Sequence, residues 1–177
     1  MKRLWLLAGV VLALAGGLTA WAADGGKLKV NTPGMVIEAD IRGRKVALPP
    51  LREIPVGAGT IKTAGIKLHA QGKDKKNRPV IWRLDGIKPY GKLEEIEVSA
   101  TETTVVEGGA PITVLAPARL LTKGSSKQIY VDLALYGKSE ERYRTVVYMG
   151  RTRVPNPKVA FLDESGKVLH TGAFEYG

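Results

Sequence analysis

From Lys27 onward the chain alternates apolar and polar side chains in short runs, and it breaks these runs with Gly, Pro, Asn and Asp. Leu93 to Ala116, LEEIEVSATETTVVEGGAPITVLA, condenses the pattern. Ile96 and Val98 alternate with Glu95, Glu97 and Ser99, the period of a strand with one dry and one wet face. A polar turn, a second strand, a Gly108-Gly109-Ala110-Pro111 hinge and a third strand from Ile112 follow.

Before this stretch, Leu28 and Val30 mark a first strand, and Asn31-Thr32-Pro33-Gly34 a turn. Met35 to Ile41 reads as a second strand with a return over Lys45 to Leu48, stopped by Pro49-Pro50. Ile54 to Gly65 reads as a glycine-punctuated connection. Ile66, Leu68 and Ala70 then face one way, and after the charged loop Gly72 to Arg78 so do Val80, Trp82 and Leu84, which predicts a hairpin.

Beyond the hinge, Ile112 to Leu121 is a strand interrupted at Pro117. Ile129, Val131, Leu133 and Leu135 form the expected inward row, followed by Tyr143, Thr145, Val147 and Met149. Lys158 to Leu162, the turn Asp163 to Gly166, and Lys167 to Thr171 predict a closing hairpin. No sustained helical period occurs after residue 22. The expectation is an all-β protein of two small antiparallel β-sandwiches in tandem, residues 23–107 and 108–177, with one larger sandwich as the alternative.

The beginning of the chain has a different grammar. Met1-Lys2-Arg3 precedes an uncharged run from Leu4 to Leu18, and Ala20 and Ala22 occupy the small-residue positions of a cleavage site. Residues 1–22 are therefore expected to be a signal peptide cut before Ala23, giving a periplasmic or secreted protein with no transmembrane segment. The alternative is an uncleaved N-terminal anchor in the inner membrane. Cleavage leaves 155 residues, enough to close a core without help from cysteine, of which there is none.

Charge narrows the partners. The formal charge of +10 becomes +8 once Lys2 and Arg3 are removed. Residues 23–107 hold 15 basic and 11 acidic side chains and residues 108–177 hold 10 and 6, so the excess is spread. Spread charge suits loose attraction to an anionic envelope polymer and does not define a specific nucleic-acid site. Arg142, Arg144, Arg151 and Arg153 interleave with Tyr143 and Tyr148, with Tyr130 nearby, and are the candidate ligand-binding residues. Arginine forks bind carboxylate, sulfate or phosphate, and tyrosine stacks on rings. The competing reading pairs these arginines with Glu140 and Glu141.

Other chemistry finds less support. His69 and His170 have no ligand-spaced partner, and Asp163-Glu164 lacks calcium-loop spacing, so no metal or cofactor is expected. Gly57-Ala58-Gly59 lacks the lysine and helix of a phosphate cradle. Glu95 and Glu97 share a strand face and are the one carboxylate pair a polysaccharide hydrolase could use, but a solvated face explains them equally.

IPVGAGTIKTAGIKLHA, RPVIWRL and IEVSATETTVVEGG resemble, in their order, the transthyretin-like and PEGA-type sandwiches of bacterial exported proteins. PKVAFLDESGKVLHTGAFEYG resembles the last hairpin of an immunoglobulin-like module. The resemblance implies a module that binds or spaces and does not catalyse. The expected function is a non-enzymatic binding or structural module of the cell envelope that contacts an anionic polymer or another envelope protein, with a small polysaccharide hydrolase as the alternative.

Overall fold

A computed structural model describes residues 25–175. The expected signal segment, residues 1–22, lies outside the described residues. The described residues are all-β, with one short 3-10 turn at Gly91–Leu93 and no helix long and apolar enough to cross a membrane.

The first three strands follow the sequence pattern closely: β1 Lys27–Val30, β2 Met35–Ile41 and β3 Arg44–Leu48. Met35, Ile37, Ala39 and Ile41 are all buried, as period two requires. The turn between β1 and β2 needs glycine at position 34. Its φ is +75°, and a Cβ would stand 2.0 Å from the His69 carbonyl oxygen.

The expected connection between Ile54 and Gly65 is largely strand. It contains β4 Glu53–Pro55 and the start of β5, which runs from Gly59 to Lys73. The glycines did not break β5 because they serve its changes of partner. Residues 59–62 pair with β7, Glu95–Val98, whereas residues 67–73 pair with β6, Pro79–Ile87. The ladder to β2 shifts register between these segments, next to Gly65.

Strands β7 and β8, Thr103–Val106, are consecutive but belong to different sheets. β8 pairs in parallel with β1, which also pairs with β4, making a three-stranded sheet. The large sheet runs β3-β2-β5-β6-β13-β12-β9, where β9 is Thr113–Leu115, β12 Ala134–Tyr136 and β13 Arg142–Met149. Leu28, Val30 and Val106 from the small sheet share one buried cluster with Ile37, Ile66, Leu68, Ile96 and Leu135 from the large one. This is sandwich packing, two apolar faces closed on each other.

The all-β class holds. The large sheet, however, is continuous across the expected 107/108 boundary, because β13 pairs antiparallel with β6 and Tyr143 enters the same core. Backbone links reinforce the crossing: Lys92 N–H donates to the Ser139 carbonyl, and Gly150 N–H to the Ile81 carbonyl.

The expected inward row over residues 129–135 divides. Leu135 is buried, but Ile129 is 58% exposed in a hairpin of β10, Ala118–Lys123, and β11, Ser126–Val131, that pairs with no other strand. Asp132 and Leu133 end that strand before β12, so the alternation does not carry through. The closing hairpin forms as expected from β15, Lys158–Leu162, and β16, Val168–Ala173. The short β14, Thr152–Arg153, folds back on β13.

Candidate functional site

Arg142 and Arg144 lie at the start of β13, and Arg151 and Arg153 follow its end. Arg142 lies opposite Ile87, while the other end of β13 lies opposite Trp82 and leads to Arg151 and Arg153. Because β13 shifts register between Tyr143 and Val147, Arg142 and Met149 face residues only five steps apart on β6, Ile87 and Trp82, about 17 Å at ~3.3 Å per residue. The two pairs therefore do not converge on one site.

The tyrosines are also placed differently from the expected stacking surface. Tyr143 is 1% exposed and belongs to the core, as it must if Arg142 and Arg144 point outward on the same strand. Its hydroxyl donates to Glu141 at 3.0 Å. Tyr148 is half-buried, and the Arg83 guanidinium sits 4.4 Å from its ring centroid, so one face of that ring is occupied. Tyr130 lies in the β10–β11 hairpin with Arg119 5.9 Å from its ring centroid.

The expected pairing with Glu140 and Glu141 does not form. Glu140 bridges to Lys92 at 2.7 Å. Glu141 is fully buried and accepts from the N–H groups of Gly109 and Ser139 and from Tyr143. Gly137 makes room for it, since a Cβ there would stand 2.0 Å from Glu141 Oε1.

The more developed site lies at the other end of the sheet. Register places Trp82 opposite Ala70 on one side and Met149 on the other. Trp82 and Met149 occupy the same face as Leu84 and Val147, which are two residues nearer the centre. Leu84 packs against the core, but Trp82 lies beyond the buried cluster. The sheet therefore overhangs its partner, and Val154 and Pro155 close the far side to leave a cavity of about 360 Å³. That is within the size range of small-ligand sites.

The rim is cationic. Lys73 ends β5, Lys75, Lys76 and Arg78 come from the β5–β6 loop and Arg153 from β14, with Asp74 as the one carboxylate. Asp74 is committed to the loop itself. Its carboxylate accepts from the N–H groups of Lys76 and Arg78 at 2.8 and 2.9 Å, and pairs with the Arg78 guanidinium at 2.7 Å. The Arg78 backbone bond and the Arg78 side chain hold its pKa below the usual carboxylate value. Asn77 takes φ of +61° to close the turn. Among the described residues Lys73, Lys75 and Lys76 form no ion pair, so their charge faces outward uncompensated.

Sequence reasoning identified Gly72–Arg78 as a charged loop and Trp82 as inward-facing, but it did not join them to Met149 and Val154. The β6–β13 pairing that does so spans more than sixty positions and has no local signature.

Glu95 and Glu97 lie exposed on β7. Lys62 approaches Glu95 at 3.5 Å, and the Thr60 hydroxyl donates to Glu97 at 2.5 Å. His69 lies across from Arg83 in the sheet, with Nδ1 3.3 Å from the Gly34 carbonyl oxygen, whereas His170 is in the last hairpin, its ring 6.3 Å from Phe161. No group of three or more metal-ligating side chains occurs among the described residues. Comparison with protein-family models, with curated proteins and with solved structures found no match.

Proposed function

We propose that this protein is an exported, non-catalytic binding module of the cell envelope that engages an anionic polymer through the basic end of its large sheet. The observation that carries this reading is the lysine-rich β5–β6 loop, whose only carboxylate, Asp74, is consumed in bracing the turn. A turn braced in this way, with Lys73, Lys75 and Lys76 free of ion pairs among the described residues, loses little conformational freedom on meeting a polyanion. Exposed Arg151 lies in the β13–β14 connection at this end of β13. Export rests on the n-region, apolar run and Ala20-x-Ala22 site, and the transthyretin-like or PEGA-type kinship rests on strand order.

Retention on an immobilised sulfated polysaccharide, measured against salt, tests the site. Exchanging Lys75 and Lys76 for Ala should lower the eluting salt more than exchanging Arg142 and Arg144, which removes the same charge at the opposite end. Equal losses would reduce the interaction to net charge and remove the site.

A further inference from the structure

We propose that the cavity beneath the basic rim takes the apolar body of an amphiphilic anion: an acyl chain that ends in a carboxylate or phosphate. This deepens the anion-binding reading of the same site. Trp82, Met149, Val154 and Pro155 offer carbon surface at the end of a sheet whose opposite layer stops short of them. A bare polyanion would leave this surface wet, and a neutral apolar ligand would leave the lysines without a counter-charge. An amphiphilic anion satisfies both.

The geometry has the order such a ligand needs. The floor lies between β6, the end of β13 and the residues that follow β14, and Lys73 at the end of β5 and Lys75 and Lys76 on the adjoining loop stand at its edge. Methionine adapts its shape to a flexible chain, while a tryptophan supplies a broad rigid wall. Trp82 is braced from behind: a Cβ at Gly72 would come 2.5 Å from the indole nitrogen, so glycine permits this close approach. The headgroup could belong to a free fatty acid or to an anionic lipid, which share this chemistry.

The test is calorimetric titration of the protein recovered from an exporting host with decanoate, acetate, inorganic phosphate and neutral decyl maltoside. Decanoate should bind, with the two headgroup-only anions and the neutral amphiphile each at least about tenfold weaker. Val154→Asp places a carboxylate in the floor and should weaken decanoate at least about tenfold while polysaccharide retention falls little. Lys75→Glu with Lys76→Glu, on an exposed loop, should weaken both, and a thermal transition for each variant confirms folding.

Absence of decanoate binding to the wild type overturns the proposal. So does unchanged affinity in a folded Val154→Asp, or decyl maltoside binding as tightly as decanoate. Loss of polysaccharide retention alone would remove the polymer reading and leave the cavity assignment intact. Sedimentation with phosphatidylglycerol vesicles against phosphatidylcholine vesicles separates the two sources. Co-sedimentation that requires an intact Val154 assigns a lipid in the bilayer, and decanoate binding without it assigns a free amphiphile; either supports the proposal.

Discussion

The buried carboxylate of Glu141 accepts a hydrogen bond from the backbone N–H of Gly109, thirty-two residues earlier. It also receives Ser139 N–H and the Tyr143 hydroxyl, so one side chain fastens the hinge after β8 to the turn that enters β13. Thr32 holds the hinge from the other side, donating to the Gly108 carbonyl at 2.9 Å and accepting Gly108 N–H at 3.1 Å. These bonds join early and late parts of the chain, and they lead us to treat residues 25–149 as one folding unit.

Glu141→Ala should therefore be severely destabilising. It strands buried donors, each costing about 1–3 kcal/mol, and opens a cavity beside Gly137. Denaturant unfolding should show a loss of about 3 kcal/mol or more, with Glu141→Gln losing less. A fragment ending at Glu107, deprived of β13 and Tyr143, should show no cooperative transition. A cooperative transition in that fragment would restore two self-sufficient domains.

Burial, followed by the Glu141 carboxylate, pushes the Tyr143 hydroxyl well above its usual pKa. The unfolded chain ionises this tyrosine near pH ~10 while the folded one does not. Its contribution is thus complete below pH ~10 and is lost as pH rises beyond it. Tyrosinate absorbance should show Tyr143 titrating only on unfolding, and Tyr143→Phe should flatten the alkaline fall in melting temperature.

Asp74 behaves in the opposite sense. Its folded pKa is depressed, first by the Arg78 backbone bond, so the loop is braced above the ordinary carboxylate range and loosens as pH falls through the lowered value. Amide protection at Lys76 and Arg78, taken relative to the intrinsic exchange rate at each pH, should fall at low pH, and Asp74→Asn should lower it already at neutral pH.

The two projecting hairpins divide the apolar residues into those that stabilise and those that do not. Leu120 and Ile129 are 59% and 58% exposed, whereas Ile37 is 0% exposed. Leu120→Lys or Ile129→Lys should change stability by no more than about 0.5 kcal/mol, and Ile37→Ala should cost about 2–5 kcal/mol.

The same contrast shows what the sequence made legible. Period two located most strands and paired β5 with β6 through a short polar loop, because those facts are local. It could not distinguish Ile129 from Leu135, since alternation says which side chains share a face and not whether another layer covers it. Tyr143 was readable: with Arg142 and Arg144 outward it had to point inward, and it did not belong among stacking residues. The cavity was not readable, because Trp82 meets Met149 only through the long-range β6–β13 ladder and gains an open side only where the second layer ends.

Backbone amide shift mapping during titration with a sulfated polysaccharide tests the central claim most directly. The largest perturbations should fall on residues 73–78 and 149–154, and should fade with added salt. Perturbations centred on residues 142–144, or spread evenly over all exposed basic residues, would contradict a binding site at the basic end of the sheet.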